Sequence, residues 1–133
     1  MKSDRGDHKR VAIEFFNLVG QGKFKEGLRY FRTDCITHNP YVKGGMETLI
    51  SAMVSANMDM ASKYPNAEFT IKHVMADEDM VAVQTQLLND RNRPNDGGLR
   101  QVHLFRFEGD MIAEYWDITQ LVTSDMPNAD GAF

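Results

Sequence analysis

Residues 99–122 read LRQVHLFRFEGDMIAEYWDITQLV, and their pattern is that of two strands around a tight turn. Val102, Leu104, Phe105 and Phe107 make the first half apolar and aromatic, over Leu99 to Phe107. The second half runs from Met111 to about Val122. Gly109-Asp110 between them suits a two-residue hairpin turn in which glycine takes the positive φ. With Glu108 opposite Met111, the hairpin predicts an antiparallel pair.

Working upstream, the same period of two recurs. Phe69, Ile71, His73 and Met75 alternate with polar positions, then Asp77-Glu78-Asp79 reads as a turn, and Val81, Val83, Thr85 and Leu87 alternate again. Asn89 to Gly98 has the composition of a loop. Further upstream the period lengthens. Ala12, Phe15, Phe16 and Val19 recur at helical spacing and predict a helix from about Asp4 to Gly20, which Gly20-Gln21-Gly22 stops. Phe24, Leu28 and Phe31 mark a short second helix, and Thr33 to Pro40 reads as irregular. A third helix is expected from just after Gly44-Gly45 to Lys63, its apolar face carrying Met46, Leu49, Ile50, Met53 and Met60. Helices come first and four hairpin-linked strands second. That order predicts an α+β fold with an antiparallel sheet rather than an alternating α/β one.

The chain has 133 residues, enough for one domain, 1–133, and too few for two useful cores. Fifteen basic and nineteen acidic residues give a formal charge of −4, and no basic stripe is interleaved with aromatics, so no nucleic-acid partner is expected. No apolar run approaches the ~20 residues of a membrane helix, so no membrane partner is expected either. Met1 to Asp7 is charged and lacks the apolar segment of a signal peptide, which makes a cytoplasmic location the default. Cys35 is the single cysteine and reads as a small buried residue. The four histidines show no metal-ligand spacing, and no glycine loop completes a phosphate-binding pattern.

Several polar residues lie where an apolar pattern does not need them. Asp117 stands between Trp116 and Ile118, and a carboxylate there must be paired, hydrogen-bonded or kept neutral. Its plain alternative is a solvated strand residue. His103 alternates with large apolar groups and reads equally as a proton-exchanging side chain or a satisfied core histidine. His38 and Asn39 precede Pro40 and either contact a ligand or cap a turn. Trp116 and Gln120 suit pocket shaping and polar recognition, and Gln84 and Gln86 line either the concave or the outer face of the sheet. His8 reads as solvated, and His73 as a core or dimer-face residue.

Three stretches together resemble the SnoaL-like (polyketide-cyclase-like) branch of the nuclear-transport-factor-2-like superfamily. They are Ile36-Thr37-His38-Asn39-Pro40 before a Gly-led helix, Phe105 to Asp110 at the hairpin, and Glu114-Tyr115-Trp116-Asp117-Ile118-Thr119-Gln120 on the last strand. The resemblance implies a cone-like half-barrel: a strongly curved sheet and about three helices around a pocket, usually in a homodimer, with neither a metal nor an organic cofactor. It also implies acid/base work by Asp117 and His103 on a small, largely apolar carbonyl compound, of the aldol-cyclase, isomerase or dehydratase kind. His38, Asn39, Trp116, Gln120, Gln84 and Gln86 are then the candidate substrate contacts. The chain departs from many relatives in carrying Gln84 and Gln86 where they carry histidine. The rival readings are a non-catalytic binding domain for an apolar metabolite and a dimerisation domain with a vestigial pocket.

The resemblance and the spacing are in tension at one point. Simple pairing from the Gly109-Asp110 turn sets His103 opposite Trp116, and Asp117 then points to the other face of the sheet. Both side chains reach one pocket only if a β-bulge lies between Ile112 and Asp117, so a bulge is predicted there. The polar tail Thr123 to Phe133 is expected to be held down through Met126 and Phe133. An apolar outer sheet face predicts the homodimer.

Overall fold

The helical stripe and the strand alternation meet in one core. The structure, a computed structural model, describes residues 5–133. Helix α1 spans Arg5–Gly20, so Asp4 and the charged start of the chain lie outside the described residues. Ala12, Phe15 and Phe16 are buried, and Val19 packs at the edge. Helix α2 (Phe24–Gly27) is one turn, continued by a 3-10 turn at Leu28–Tyr30. Helix α3 (Met46–Lys63) starts directly after Gly44-Gly45, as the spacing predicts. Its first half buries Met46, Leu49 and Ile50, while Met58 in the second half is exposed.

Five strands form one open, mixed sheet: β1 (Phe31–His38), β2 (Glu68–Asp77), β3 (Met80–Leu88), β4 (Gly98–Glu108) and β5 (Met111–Val122). Their order is β1-β5-β4-β3-β2. Four strands are antiparallel and hairpin-linked as expected, but β1 adds a fifth, parallel to β5. Phe31 to His38 is therefore a strand and not a helix end followed by irregular chain. Phe31 and Cys35 face the core, while Arg32, Thr33, Asp34 and Ile36 are exposed, which left only a thin apolar signal. The fold class stands as α+β, with a mixed sheet in place of an antiparallel one.

Helix α1 packs on one face of this sheet, here called the inner face. Val81 and Val83 of β3, Phe105 and Phe107 of β4, and Ile112 and Tyr115 of β5 meet its aromatic stripe there. Phe15 makes edge contacts with Phe31, Phe105 and Tyr115 at ring-centre separations of 5.0, 6.1 and 6.5 Å. Each such ring, fully buried, contributes about 1.5–3 kcal/mol through area removed from water.

Bulges on β2 and β5 decide which of their residues face inward. On β2, Ile71 pairs with Thr85 and His73 with Gln84, so Lys72 is the extra residue. Phe69 and Ile71 consequently share the inner face with Val74 and Ala76, whereas His73 and Met75 turn outward and are exposed. On β5, Phe107 pairs with Ile112 and Arg106 with Glu114, leaving Ala113 extra. This second bulge falls inside the predicted interval.

Two further expectations change. His8 is buried rather than solvated: its ring stacks on Phe107 with centres 4.1 Å apart, and Nε2–H donates to the Gly109 carbonyl at 2.9 Å. That bond fastens α1 to the hairpin, where Gly109 has φ of 61°. The tail is anchored, but not through Met126 and Phe133, which stay exposed. Ala129 is buried instead, and the Arg100 guanidinium donates to the Ala132 carbonyl at 2.7 Å.

Candidate functional site

The register of β4 and β5 sets His103 directly opposite Asp117. Side chains of an opposed pair project to the same face, and here it is the inner one, which His103 shares with Phe105 and Phe16. His103 is 3% exposed, its ring centre 4.6 Å from that of Phe16. Its Nδ1 lies 2.7 Å from the Tyr115 hydroxyl and its Nε2 3.0 Å from Thr85 Oγ1, so neither nitrogen is open to a ligand. Burial pushes its pKa from 6.5 down to about 4, against the opposing pull of the Asp117 charge, so the ring is neutral near pH 7. Tyr115, also wholly buried, has its phenol pushed well above the ordinary value by desolvation.

Asp117 is only half-buried and is the exposed end of this group. Its Oδ2 accepts from Asn39 Nδ2 at 2.8 Å and its Oδ1 from Thr119 Oγ1 at 2.9 Å. The Asn39 amide is itself pinned, because its Oδ1 accepts from the Tyr41 backbone N–H at 2.8 Å. Of the two readings of Asn39, the turn is the one seen here, and its amide also reaches the Asp117 carboxylate. Gln101 and Thr119 complete the polar group, with Gln101 Nε2 donating to Thr119 Oγ1 at 3.1 Å. The outer strand pattern gave no reason to single these two out, although their i±2 spacing from His103 and Asp117 places them on the same face.

The other five candidates lie on the opposite face. Gln84 pairs with Val102, Gln86 and Gln120 with Arg100, and Trp116 with Leu104, all one step out of phase with the inner residues. His38 pairs with Trp116, stacks on its indole at 4.8 Å, and donates from Nε2 to Glu114 Oε2 at 2.7 Å. The structure therefore brings Asn39 to Asp117 and His103, and separates His38, Trp116, Gln120, Gln84 and Gln86 from them. Two of the pattern's alternatives are settled by this: Gln84 and Gln86 line the outer face. Glu114 joins a charged ladder there, accepting from Arg106, which also reaches Glu108; Glu108 in turn pairs with Arg32 and Arg32 with Asp34. The hydrogen bonds from His38 and Arg106 hold the Glu114 carboxyl below its usual range.

A groove of about 510 Å³ runs between the end of α1 and β2, lined by Phe16, Asn17, Gly20, Gln21, Phe69, Thr70 and Ile71. Its lining holds no titratable side chain, and neither His103 nor Asp117 belongs to it. Burial pushes the Cys35 thiol up to about 11, which leaves it protonated and not a nucleophile. Among the described residues no cluster of histidine, cysteine, aspartate and glutamate could hold a metal ion, and no helix is long and apolar enough to cross a membrane. The proton-exchanging chemistry available on the inner face is that of one half-exposed carboxylate, held by two donors beside a buried neutral imidazole.

Comparison with known proteins agrees with this architecture. No curated protein sequence matches the chain significantly. Among solved structures, AclR from Streptomyces galilaeus is similar with a TM-score of 0.69 at 14% identity, covering 88% of this chain and 91% of that one. An NTF2-like protein of unknown function from Cytophaga hutchinsonii gives a TM-score of 0.64 at 12% identity, covering 90% and 95%. A candidate ketosteroid isomerase from Kribbella flavida gives 0.65 at 15% identity, covering 98% and 90%. At these identities the likeness is one of fold. The sequence match is more specific: residues 12–115, from Ala12 of α1 to Tyr115 of β5, match the SnoaL-like domain. The chain belongs to the SnoaL-like domain family.

Proposed function

We propose that this protein is an enzyme that moves a proton at carbon next to a carbonyl in a small, largely apolar compound, as an aldol-type cyclase, isomerase or dehydratase does. Asp117 is the catalytic group and Asn39 positions it. The single observation that carries the reading is the placement of Asp117. A bulge turns this carboxylate to the inner face, where Asn39 and Thr119 hold it while one edge stays open. A carboxylate fixed by two donors is poised to accept a proton without first reorganising. His103 acts from beneath as a positioning residue, since both its nitrogens are occupied.

The occupied state of His103 also favours a second reading, a binding domain for an apolar metabolite, because it leaves one free titratable group where a pair was expected. Exchange of deuterium into a panel of small apolar ketones, followed by proton NMR, separates the two. The enzyme reading expects wild-type protein to exceed Asp117→Asn by about 10²-fold or more. Equal rates, with a small molecule retained by both proteins in native mass spectrometry, hand the case to the binding domain.

A further inference from the structure

The polar side chains of the inner face form one directed chain of hydrogen bonds. Thr85 Oγ1 donates to Gln101 Oε1 at 3.3 Å. Its single hydrogen is thereby used, so it meets His103 Nε2, 3.0 Å away, as an acceptor. The imidazole proton is then on Nε2, and Nδ1 accepts from the Tyr115 hydroxyl at 2.7 Å. On its other side Gln101 donates from Nε2 to Thr119 Oγ1, and Thr119 donates to Asp117 Oδ1. Every member satisfies the next, and the orientation of one amide, that of Gln101, fixes the sense of the whole.

We propose that Gln101 is a further positioning residue of this site: its amide couples the side chain at 117 to the tautomer of the buried His103 imidazole, though those two side chains share no hydrogen bond. This rests on the reading of Asp117 as the acting group. An ionised Asp117 only accepts, so Thr119 points towards it and the chain runs from Tyr115 to Asp117. When the 117 side chain becomes a donor, Thr119 accepts from it, which frees the Thr119 hydrogen for Gln101. The amide then turns over, Nε2 of Gln101 donates to Thr85, and Thr85 donates to Nε2 of His103. The ring proton moves to Nδ1, facing the Tyr115 oxygen. The imidazole neither gains nor loses a net proton: on a local opening it releases the Nε2 proton to water and takes one from water at Nδ1. The reversal gives both ring nitrogens a partner again, and its cost falls on the buried Tyr115 hydrogen, which gives up Nδ1 as its acceptor.

Asp117→Asn tests the coupling without any substrate. The pinned Asn39 amide presents a donor to position 117, so the new amide turns its oxygen to Asn39 and its NH₂ to Thr119. Long-range ¹H–¹⁵N spectra of the histidine rings near pH 7 read the tautomer directly. Wild-type protein is expected to show His103 protonated on Nε2, and Asp117→Asn to show the majority on Nδ1. Adding Gln101→Leu to Asp117→Asn breaks the chain and should abolish the shift, although the carboxylate charge is equally absent. Thr119→Val, which severs the same chain from the far side, serves as the second breaker should Gln101→Leu fold poorly. A wild-type ring protonated on Nδ1, an unmoved tautomer in Asp117→Asn, or an equal shift in the broken chain overturns the proposal. Because the readout needs no turnover, its failure is distinct from failure of the deuterium-exchange assay, which tests Asp117 as the base.

Discussion

His103 and Asp117 stand opposite one another because β5 takes up Ala113 as a bulge. Ala113, extra in the β5 register, shifts the alternation by one and turns Tyr115 and Asp117 inward and Glu114 and Trp116 outward. Deleting Ala113 would join Ile112 directly to Glu114, with Glu114 still opposite Arg106 and Asp117 still opposite His103, so every side chain keeps its face. The variant loses the bulge and one buried methyl but not the core. We expect the fold to persist with a loss of about 1–2 kcal/mol. Urea denaturation and amide dispersion in NMR check this; a deletion variant that no longer folds contradicts this register.

How much of this was legible beforehand differs by residue. The bulge was, because a fixed turn at Gly109-Asp110 and the 14-residue interval leave one way for both side chains to share a face. The bulge at Lys72 was not: Phe69, Ile71, His73 and Met75 look like one unbroken alternation, and only pairing with β3 shows the slip. Period two also cannot say which of its two faces is the inner one, so Gln84, Gln86, Trp116 and Gln120 carried no sign of facing away. His8 was legible and misread. It lies four residues before Ala12, on the helical stripe itself, and its buried stack on Phe107 follows from that spacing.

His103 makes stability depend on pH. Its pKa falls from 6.5 in an unfolded chain to about 4 in the fold, so between these values the unfolded state binds a proton that the folded state does not. Stability therefore declines as pH drops from about 6.5 to about 4, by on the order of 3 kcal/mol, and this contribution flattens below that window. His103→Gln, which can still bond Tyr115 and Thr85, should show a smaller loss between pH 7 and pH 4.5 in urea titrations. Identical pH dependence in the two proteins would count against a buried neutral ring.

Gly98 is the glycine the sheet tolerates least well as alanine. With φ of 133°, a Cβ there would sit 2.0 Å from the Leu87 carbonyl oxygen, a backbone atom that cannot swing aside. Gly98→Ala should lower stability by about 2 kcal/mol or more. Gly20→Ala, where nothing lies within 4 Å, is the control and should be neutral or slightly stabilising. Thermal melts of both variants decide it.

Removing residues 125–133 should lower the melting temperature, for a reason other than burial of the two large apolar side chains. Ala129 and the Ala132 carbonyl leave with the tail, and the buried Arg100 guanidinium loses a partner at 2.7 Å. The guanidinium keeps its bond to the Leu99 carbonyl at 3.3 Å but loses the one to the tail, a charge-assisted bond worth about 1.5–3 kcal/mol; its burial already lowers its pKa. Met126→Ser and Phe133→Ser, both on exposed residues, should by contrast change little. If the serine variants melt as low as the truncation, the anchor is apolar after all.

The outer face predicts a second copy of the chain. The register lines up Met75, Ala82, Leu104, Trp116 and His38 as one row across all five strands, with Val102 and Ile118 beside it. Met75 is 63% exposed, Ile118 56% and Ile36 54%, an apolar patch that a lone chain would present to water. Along one border runs the ladder from Asp34 through Arg32, Glu108 and Arg106 to Glu114, whose charges alternate in sign. Exposed pairs of this kind add little to stability. Alternating signs do, however, let the same surface meet itself about a two-fold axis, which a one-sign border would oppose. We therefore expect sedimentation at micromolar concentration to give twice the chain mass of 15.1 kDa. Ile118→Glu should give the single chain mass while keeping the native fold, because position 118 makes no contact with the inner core and a carboxylate there is tolerated by a monomer but not by a buried interface. A wild-type protein that sediments at 15.1 kDa defeats the dimer outright. A dimer that survives Ile118→Glu unchanged places its interface on another face.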